Sequence, residues 1–187
     1  MRLSTGLVRL LTERLRPFDE LLSHESSAAV ALILHPTEDG IEILFVKRRD
    51  DPNDPWSGQI ALPGGRRKPS DRSMLETAIR ETFEEVGILL DAKRMVLGAL
   101  PDVTSSRNPG MLVTPFVALL EEKTPVKLSP ELSEYFWAST KDLMECEVKV
   151  SLQSGETKTV KAYVYGEYVI WGLTARIIES FLKILEG

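Results

Sequence analysis

The chain of 187 residues has one cysteine, two histidines, two asparagines and two glutamines. With Cys146 alone, no internal disulfide can form, and the expected compartment is a reducing cytoplasm. A histidine–cysteine zinc set is also excluded, because His24, His35 and Cys146 are the only candidate ligands of that kind. Scarce amides and cysteine, set against abundant Glu, Lys and Arg, follow a trend seen in proteins of hot habitats. No apolar run approaches the roughly 20 residues that span a bilayer. The opening MRLSTGLVRLLTERLRPF is not expected to be a secretory leader, since Arg9, Glu13, Arg14 and Arg16 interrupt its apolar residues. A net charge of −5 argues against a general nucleic-acid binder. Composition is otherwise that of a soluble globular protein, 43% hydrophobic and 27% charged.

Local patterns interleave helices and strands irregularly, which predicts an α+β fold. Residues 4 to 16 read as an amphipathic helix, capped by Ser4, with Leu7, Leu10, Leu11 and Leu15 at helical spacing and Pro17 at its end. This helix is expected to form an extension over residues 1–24, packed on a main domain of residues 25–187 or placed at a dimer contact. Residues 28–34, 41–46, 59–62, 95–100 and 112–120 read as strands. Residues 50–58, rich in Asp, Pro, Ser and Gly, form a loop. Val148, Val150 and Leu152 alternate with polar residues, as do Val160, Ala162 and Val164, so a hairpin is expected around Ser154-Gly155. Residues 170–185 read as a closing helix.

The chemistry concentrates on a helix expected over residues 73–86. With Glu81 at zero on a helical wheel, Glu84 falls at about 300° and Glu85 at about 40°. Leu75, Ala78, Ile79, Thr82, Phe83 and Val86 fall between about 60° and 200°, a separate packing side. Two like charges near 4 Å repel by about 4 kcal/mol at an effective dielectric of 20. Arg80 offsets part of this by pairing with Glu84 four residues on. A divalent ion with a taste for hard oxygen ligands, Mg²⁺ or Mn²⁺, would offset the rest. Lys47, Arg48, Arg49, Arg66, Arg67, Lys68 and Arg72 gather just before this helix, where a polyphosphate would need them.

Gly65 followed by Arg80-Glu81-Thr82-Phe83-Glu84-Glu85-Val86-Gly87-Ile88 resembles the Nudix box, a glycine, a spacer and then R-E-U-x-E-E-x-G-U with U apolar. Thr82 departs from the apolar expectation. Asp71 stands where the box has a glutamate, and one residue is inserted between it and Arg80. The resemblance implies a mixed β-sheet sandwiched between helices, with N-terminal and C-terminal helices, and divalent-metal-dependent hydrolysis of a nucleoside diphosphate derivative. Carried over by position, Glu81, Glu84, Glu85 and the carbonyl of Gly65 match the metal ligands, and Arg80 the arginine that orients them. Glu84 or Glu85 is the favoured general base, with Glu131 or Glu134 as alternatives. Arg48, Arg49, Gln59, Arg66, Arg67 and Arg107 are the expected substrate contacts.

Gly58-Gln59-Ile60-Ala61-Leu62-Pro63-Gly64-Gly65, Val113-Thr114-Pro115-Phe116-Val117 and Ile170-Trp171-Gly172-Leu173-Thr174-Ala175 resemble segments of the coenzyme A pyrophosphatase branch. The resemblance covers about residues 28 to 185. It implies coenzyme A or acyl-coenzyme A as substrate, with ADP-ribose, NADH, dinucleoside polyphosphates and nucleoside triphosphates as alternatives. Asp54 departs from that branch, which has an arginine there. Trp56, Phe116 and Trp171 are candidates to stack on a base, with core packing favoured for the last two. Two other classes stay open: a non-catalytic nucleotide-binding module, and isopentenyl diphosphate isomerase, which would need Cys146 in the site. No membrane or nucleic-acid partner is expected, and a homodimer through the N-terminal helix or terminal regions is a further expectation.

Overall fold

The computed structural model describes residues 2–17, 26–54, 56–105, 108, 110–151, 155 and 157–186. It is built on two long neighbouring strands, β1 (Ala28–Thr37) and β2 (Gly40–Arg48), joined by a tight antiparallel turn. Strand β7 (Leu112–Leu119) runs parallel to β1 on its other side, and β5 (Val96–Ala99) runs antiparallel to β7. Short strands β3 (Ile60–Ala61) and β4 (Gly64–Arg66) pair with β2 and β1, β6 (Val103–Thr104) with β7, and β8 (Leu132–Ser139) with β2. The result is one mixed sheet.

Side chains alternate across a strand, so β1, β2 and β7 each feed two cores. Leu32, Leu34, Ile43, Phe45, Val117 and Leu119 point to one face. There they meet Leu11 and Leu15 of the chain's N-terminal stretch and Ile177, Ile178 and Phe181 near its end. Ala29, Ala31, Ile33, Leu44, Val46, Phe116 and Ala118 point to the other, against Met74, Ala78 and Val86. Apart from Leu15, which follows the first of them, these partners sit on helices α1 (Arg2–Arg14), α3 (Gly172–Glu186) and α2 (Met74–Val86). The sheet is therefore sandwiched between α2 and the α1/α3 pair. That is the α+β arrangement expected from the sequence, and it explains why the strands read as near-continuous apolar runs.

Several local expectations are corrected. Ser4 lies inside α1, which begins at Arg2, and so does not cap it. The apolar side of α1 is used within the chain: Leu11 is fully buried, and Arg16 bridges to Ala99 beside it. The closing helix begins at Gly172, not at residue 170. Tyr168–Trp171 form strand β11, and Gly172 turns the chain from strand to helix at a φ of 68°. The hairpin is present as β9 (Met144–Ser151) and β10 (Thr157–Tyr165), and with β11 it makes a separate three-stranded sheet. Leu152 and Ser154 of its expected tip, like His24, lie outside the described residues. Among the described residues no helix is long and apolar enough to cross a membrane.

Because Leu11 is a core residue on an N-terminal helix, Leu11→Ala should cost about 2–4 kcal/mol. Urea unfolding would show it. A loss near zero would mean that α1 is only laid on the surface.

Candidate metal and substrate site

Helix α2 is held at both ends. Ser73 accepts the backbone N–H of Glu76 at 3.1 Å, a standard N-cap. Gly87 ends the helix in the left-handed region, φ 72°, and returns its N–H to the carbonyl of Phe83. Ala78, Thr82 and Val86 are fully buried against the sheet. Phe83, expected on the packing side, is instead exposed, because it lies at the wheel's far edge where the sheet no longer covers it.

Strand β4 enters this helix's acidic side at Gly64-Gly65. A Cβ on Gly65 would stand 2.6 Å from the carboxyl carbon of Glu81, and one on Gly64 would stand 2.3 Å from the carbonyl oxygen of Ala29. Only glycine allows both approaches. The N–H of Gly64 donates to Glu85 Oε2 at 3.0 Å. Glu81 and Glu85 therefore both press on the glycine pair, while Glu84 stands further out, about half exposed, with Lys68 Nζ at 3.2 Å. The three acids share one side, as the wheel predicts, but at two depths.

Burial pushes the Glu85 carboxyl up to about 7, against the opposing pull of the Gly64 N–H and Arg48. Asp71 behaves in the opposite sense. It is almost wholly enclosed, yet the Arg80 guanidinium holds its carboxyl well below the usual carboxylate range, with help from the Lys68 N–H and the Thr77 hydroxyl. Arg80 Nε and Nη2 reach the two Asp71 oxygens at 2.9 and 2.8 Å. Its Nη1 donates to Glu81 at 2.6 Å and Glu84 at 3.1 Å, and its Nη2 also to the Arg66 carbonyl. One guanidinium thus ties the spacer loop, β4 and two acids of α2 together.

A cleft of about 420 Å³ opens over these acids. Glu81, Glu84, Glu85, Gly65, Arg48, Gln59, Arg66 and Glu131 all line it, as the sequence reading expects. Three other candidates do not line it, and a fourth lies outside the described residues. Arg49 bonds the carbonyls of Pro130 and Leu132 and does not line the cleft. Arg67 is spent on the carbonyls of Asp71 and Arg72. Glu134 is taken by Lys47 and by the Tyr168 hydroxyl, both at 2.9 Å, on the sheet's edge. Arg107 lies outside the described residues. Trp56 lines the cleft, Phe116 is buried in the core, and Trp171 is absent from the lining. Cys146 is also absent from it, which removes the thiol that an isomerase would need.

Sequence reasoning missed the surroundings of Arg48. Its Nε donates to Asp54 Oδ2 at 2.7 Å, its Nη1 lies 3.9 Å from Glu85, and its Nη2 lies 3.8 Å from Glu131. Asp54 also accepts the N–H of Trp56, so one carboxylate orients both a cation and an aromatic wall. The signal was the Asp-x-Trp spacing in a turn-rich loop, which marks an Asx turn but not its partner across the cleft. Leu173 and Thr174 of α3 were missed as well; Thr174 bonds the Ile60 carbonyl and closes the far side.

As for a metal, the candidate donors are all hard oxygens, which suits a divalent ion such as those of the Nudix pattern. Among the described residues no three acids yet stand together as a ready cage. Each is held by a cation or by a backbone N–H. The buried Glu85 carboxyl, pushed up by burial, fits a cation, since a positive ion would favour its ionised form there.

Asp71→Asn should destabilise the protein by about 3 kcal/mol at pH 7, by leaving the half-buried Arg80 without its main partner. The depressed Asp71 pKa contributes stability above its ordinary value near 4, and this is lost as the pH falls below that value. Urea unfolding at pH 7 and pH 3 should therefore show the gap between wild type and variant narrowing at acid pH, without closing. An equal gap at both would break the assignment.

The comparisons agree with this geometry. A family model described as the NUDIX domain matches residues 25–160. The uncharacterized Nudix hydrolase NudL of Photorhabdus laumondii is 37% identical over 145 residues, 75% of each chain. That of Yersinia enterocolitica is 32% identical over 176 residues, 86% of this chain and 81% of the relative. Among solved structures, a MutT/nudix family protein from Enterococcus faecalis superposes with a TM-score of 0.61 at 19% identity, over 94% of this chain and 72% of that one. The NUDIX domain of Shewanella oneidensis NrtR, complexed with ADP ribose, gives 0.51 at 19% identity, over 66% and 78%. At such identities these two matches show the fold alone. On the family model and the relatives of higher identity, the chain belongs to the Nudix family of pyrophosphohydrolases.

Proposed function

We propose that the protein uses Mg²⁺ or Mn²⁺ to hydrolyse the pyrophosphate bond of a nucleoside diphosphate derivative, with coenzyme A or acyl-coenzyme A as the leading substrate. One observation carries the reading: Glu81 and Glu85 converge on Gly64-Gly65 at the floor of an open cleft, with Glu84 above them. Glu81, Glu84, Glu85 and the Gly65 carbonyl would hold the ion. When bound, it supplies charge for the diphosphate and acidifies water.

The chain's own groups do the rest. Arg66 is exposed at the cleft and has no ion-pair partner among the described residues, so it is free to meet a phosphate oxygen. Trp56 offers a flat wall for a base or an acyl chain. Glu84 and Glu131 both reach the cleft from solvent, and either can accept a proton from an attacking water; Glu134 is not placed to do so. Arg80 orients Glu81 and Glu84 without itself lining the cleft.

Asp54 favours a second reading. Where the coenzyme A branch has an arginine, this chain has an acid that consumes Arg48. A substrate without the extra 3′-phosphate of coenzyme A, such as ADP-ribose, NADH or a dinucleoside polyphosphate, then loses less. Product analysis against coenzyme A, dephospho-coenzyme A, ADP-ribose, NADH, diadenosine polyphosphates and deoxynucleoside triphosphates separates the readings. Preference for coenzyme A over its dephospho form supports the first, and the reverse supports the second. Bound nucleotide with no product from any of them would mark a binding module instead.

Glu85→Gln should lower kcat/KM by about 10²–10⁴-fold, with Glu81→Gln similar. Near-normal turnover in both would overturn the site. The same Glu85 variant has a second signature in metal-free protein. A carboxyl whose pKa is raised on folding contributes stability below its unfolded value, and this is lost as pH rises through the folded value of about 7. Thermal melts with a chelator should show wild type losing stability from pH 6 to pH 8 relative to Glu85→Gln. Parallel curves would show that Glu85 is not buried as described.

A further inference from the structure

We infer that two copies of the chain join through strand β9, pairing it antiparallel with its symmetry mate about a two-fold axis at Val148. The three-stranded sheet has the order β11-β10-β9, so β9 is an edge strand with one side unpaired among the described residues. It is eight residues long, a span of about 27 Å. Its two faces differ. Glu145, Glu147, Lys149 and Ser151 stand on the side of Tyr163 and Ile170, which pack into the core under α3. Met144, Cys146, Val148 and Val150 stand on the opposite side, with Val160, Ala162, Val164, Val169 and Trp171 of the neighbouring strands.

A long edge strand ordinarily invites a partner, and charges placed on it ordinarily repel one. Here the charges are arranged to accept one strand in particular, an identical copy. A two-fold normal to the sheet keeps each face on its own side, so the axis must pass through a residue. With the axis at Val148, Glu147 lies opposite the second copy's Lys149, Lys149 opposite its Glu147, and Glu145 opposite its Ser151. Moving the axis to either neighbour places Glu147 or Lys149 against itself. Opposite charges directly across an antiparallel pair stabilise it, and like charges oppose it. The Val148 register is thus the one that the strand's own charges select.

A second observation agrees. Lys161 faces Glu147 across the hairpin but is bound to Glu145 and to Glu179 of α3, at 2.8 and 3.2 Å. Glu147 and Lys149 themselves form no ion pair with any described residue. On the apolar face, Cys146 would meet the mate's Val150, and Val148 the mate's Val148. This gives the half-exposed β-branched side chains the cross-strand neighbours that a lone hairpin lacks. The contact is isologous, so it closes as a dimer and does not propagate.

The test uses the full chain in sedimentation velocity near 100 µM. Wild type should run at twice the 20.9 kDa chain mass. Lys149 faces the uncharged Thr159 across the hairpin, so its reversal disturbs no pair within the chain. Lys149→Glu should weaken the dimer at least tenfold while leaving the circular dichroism spectrum unchanged. In a Cys146→Ser background, Val148→Cys should form an intermolecular disulfide on mild oxidation. A monomeric wild type, a dimer indifferent to Lys149→Glu, or a dimer that Val148→Cys fails to cross-link would each overturn the proposal.

Discussion

Arg80 is where the acidic side of this protein is made tolerable. Glu81 and Glu84 stand within hydrogen-bond reach of one guanidinium, and the same group is gripped on its far side by Asp71. Asp71 is enclosed, so the pair is expensive to break and confines Arg80 to one orientation. That orientation decides where Glu81 points. The spacer loop is folded around the same contact, because Lys68 and Thr77 also bond Asp71. The aspartate that stands in the box's glutamate position reaches Arg80 with both of its oxygens.

The sheet supplies what Arg80 cannot. Glu85 lies below the reach of Arg80 and is held by the Gly64 N–H on β4, a strand that pairs with central β1. Its position is therefore set by backbone pairing in the core and not by another flexible side chain. Burial pushes this carboxyl up to about 7, whereas Glu84 is open to solvent. Two acids one residue apart on the same helix thus meet different environments, which is the usual way that chemically equal groups come to different roles.

Much of this was legible in the sequence, for physical reasons. The 3.6-residue period of α2 gives the shared side of the acids directly, and the glycine pair announces a close approach of backbone. The long strands are legible because burial on both faces leaves them almost purely apolar. What was not legible depends on contacts between distant parts of the chain. Strand β4 contains two glycines in three residues and has no pattern of its own; it is a strand only because β1 pairs with it. The basic residues before the helix look alike by composition, yet Arg48 and Arg66 reach the cleft while Arg49 and Arg67 are spent on backbone carbonyls. Glu131 precedes β8, whereas Glu134 lies within it opposite Lys47, beyond the register shift between Lys47 and Arg48, and so it pairs with Lys47 instead of lining the cleft.

Asp54 shows how such distant contacts set the charge balance of the cleft. Taken alone it is a lost cation, and a lost cation argues against a substrate with an additional phosphate. In place, it is the partner of Arg48, a cation that otherwise stands near both Glu85 and Glu131. Arg48 is thereby shared between one strong partner and two distant ones, so its pull on Glu85 is weakened and burial prevails there. Replacing Asp54 would do more than change the count of charges in the cleft. It would free Arg48 to move onto Glu85, lower the affinity of that carboxyl for its proton, and bring a competing cation to the floor of the site. The residue at position 54 and the ionisation of Glu85 are therefore coupled through Arg48.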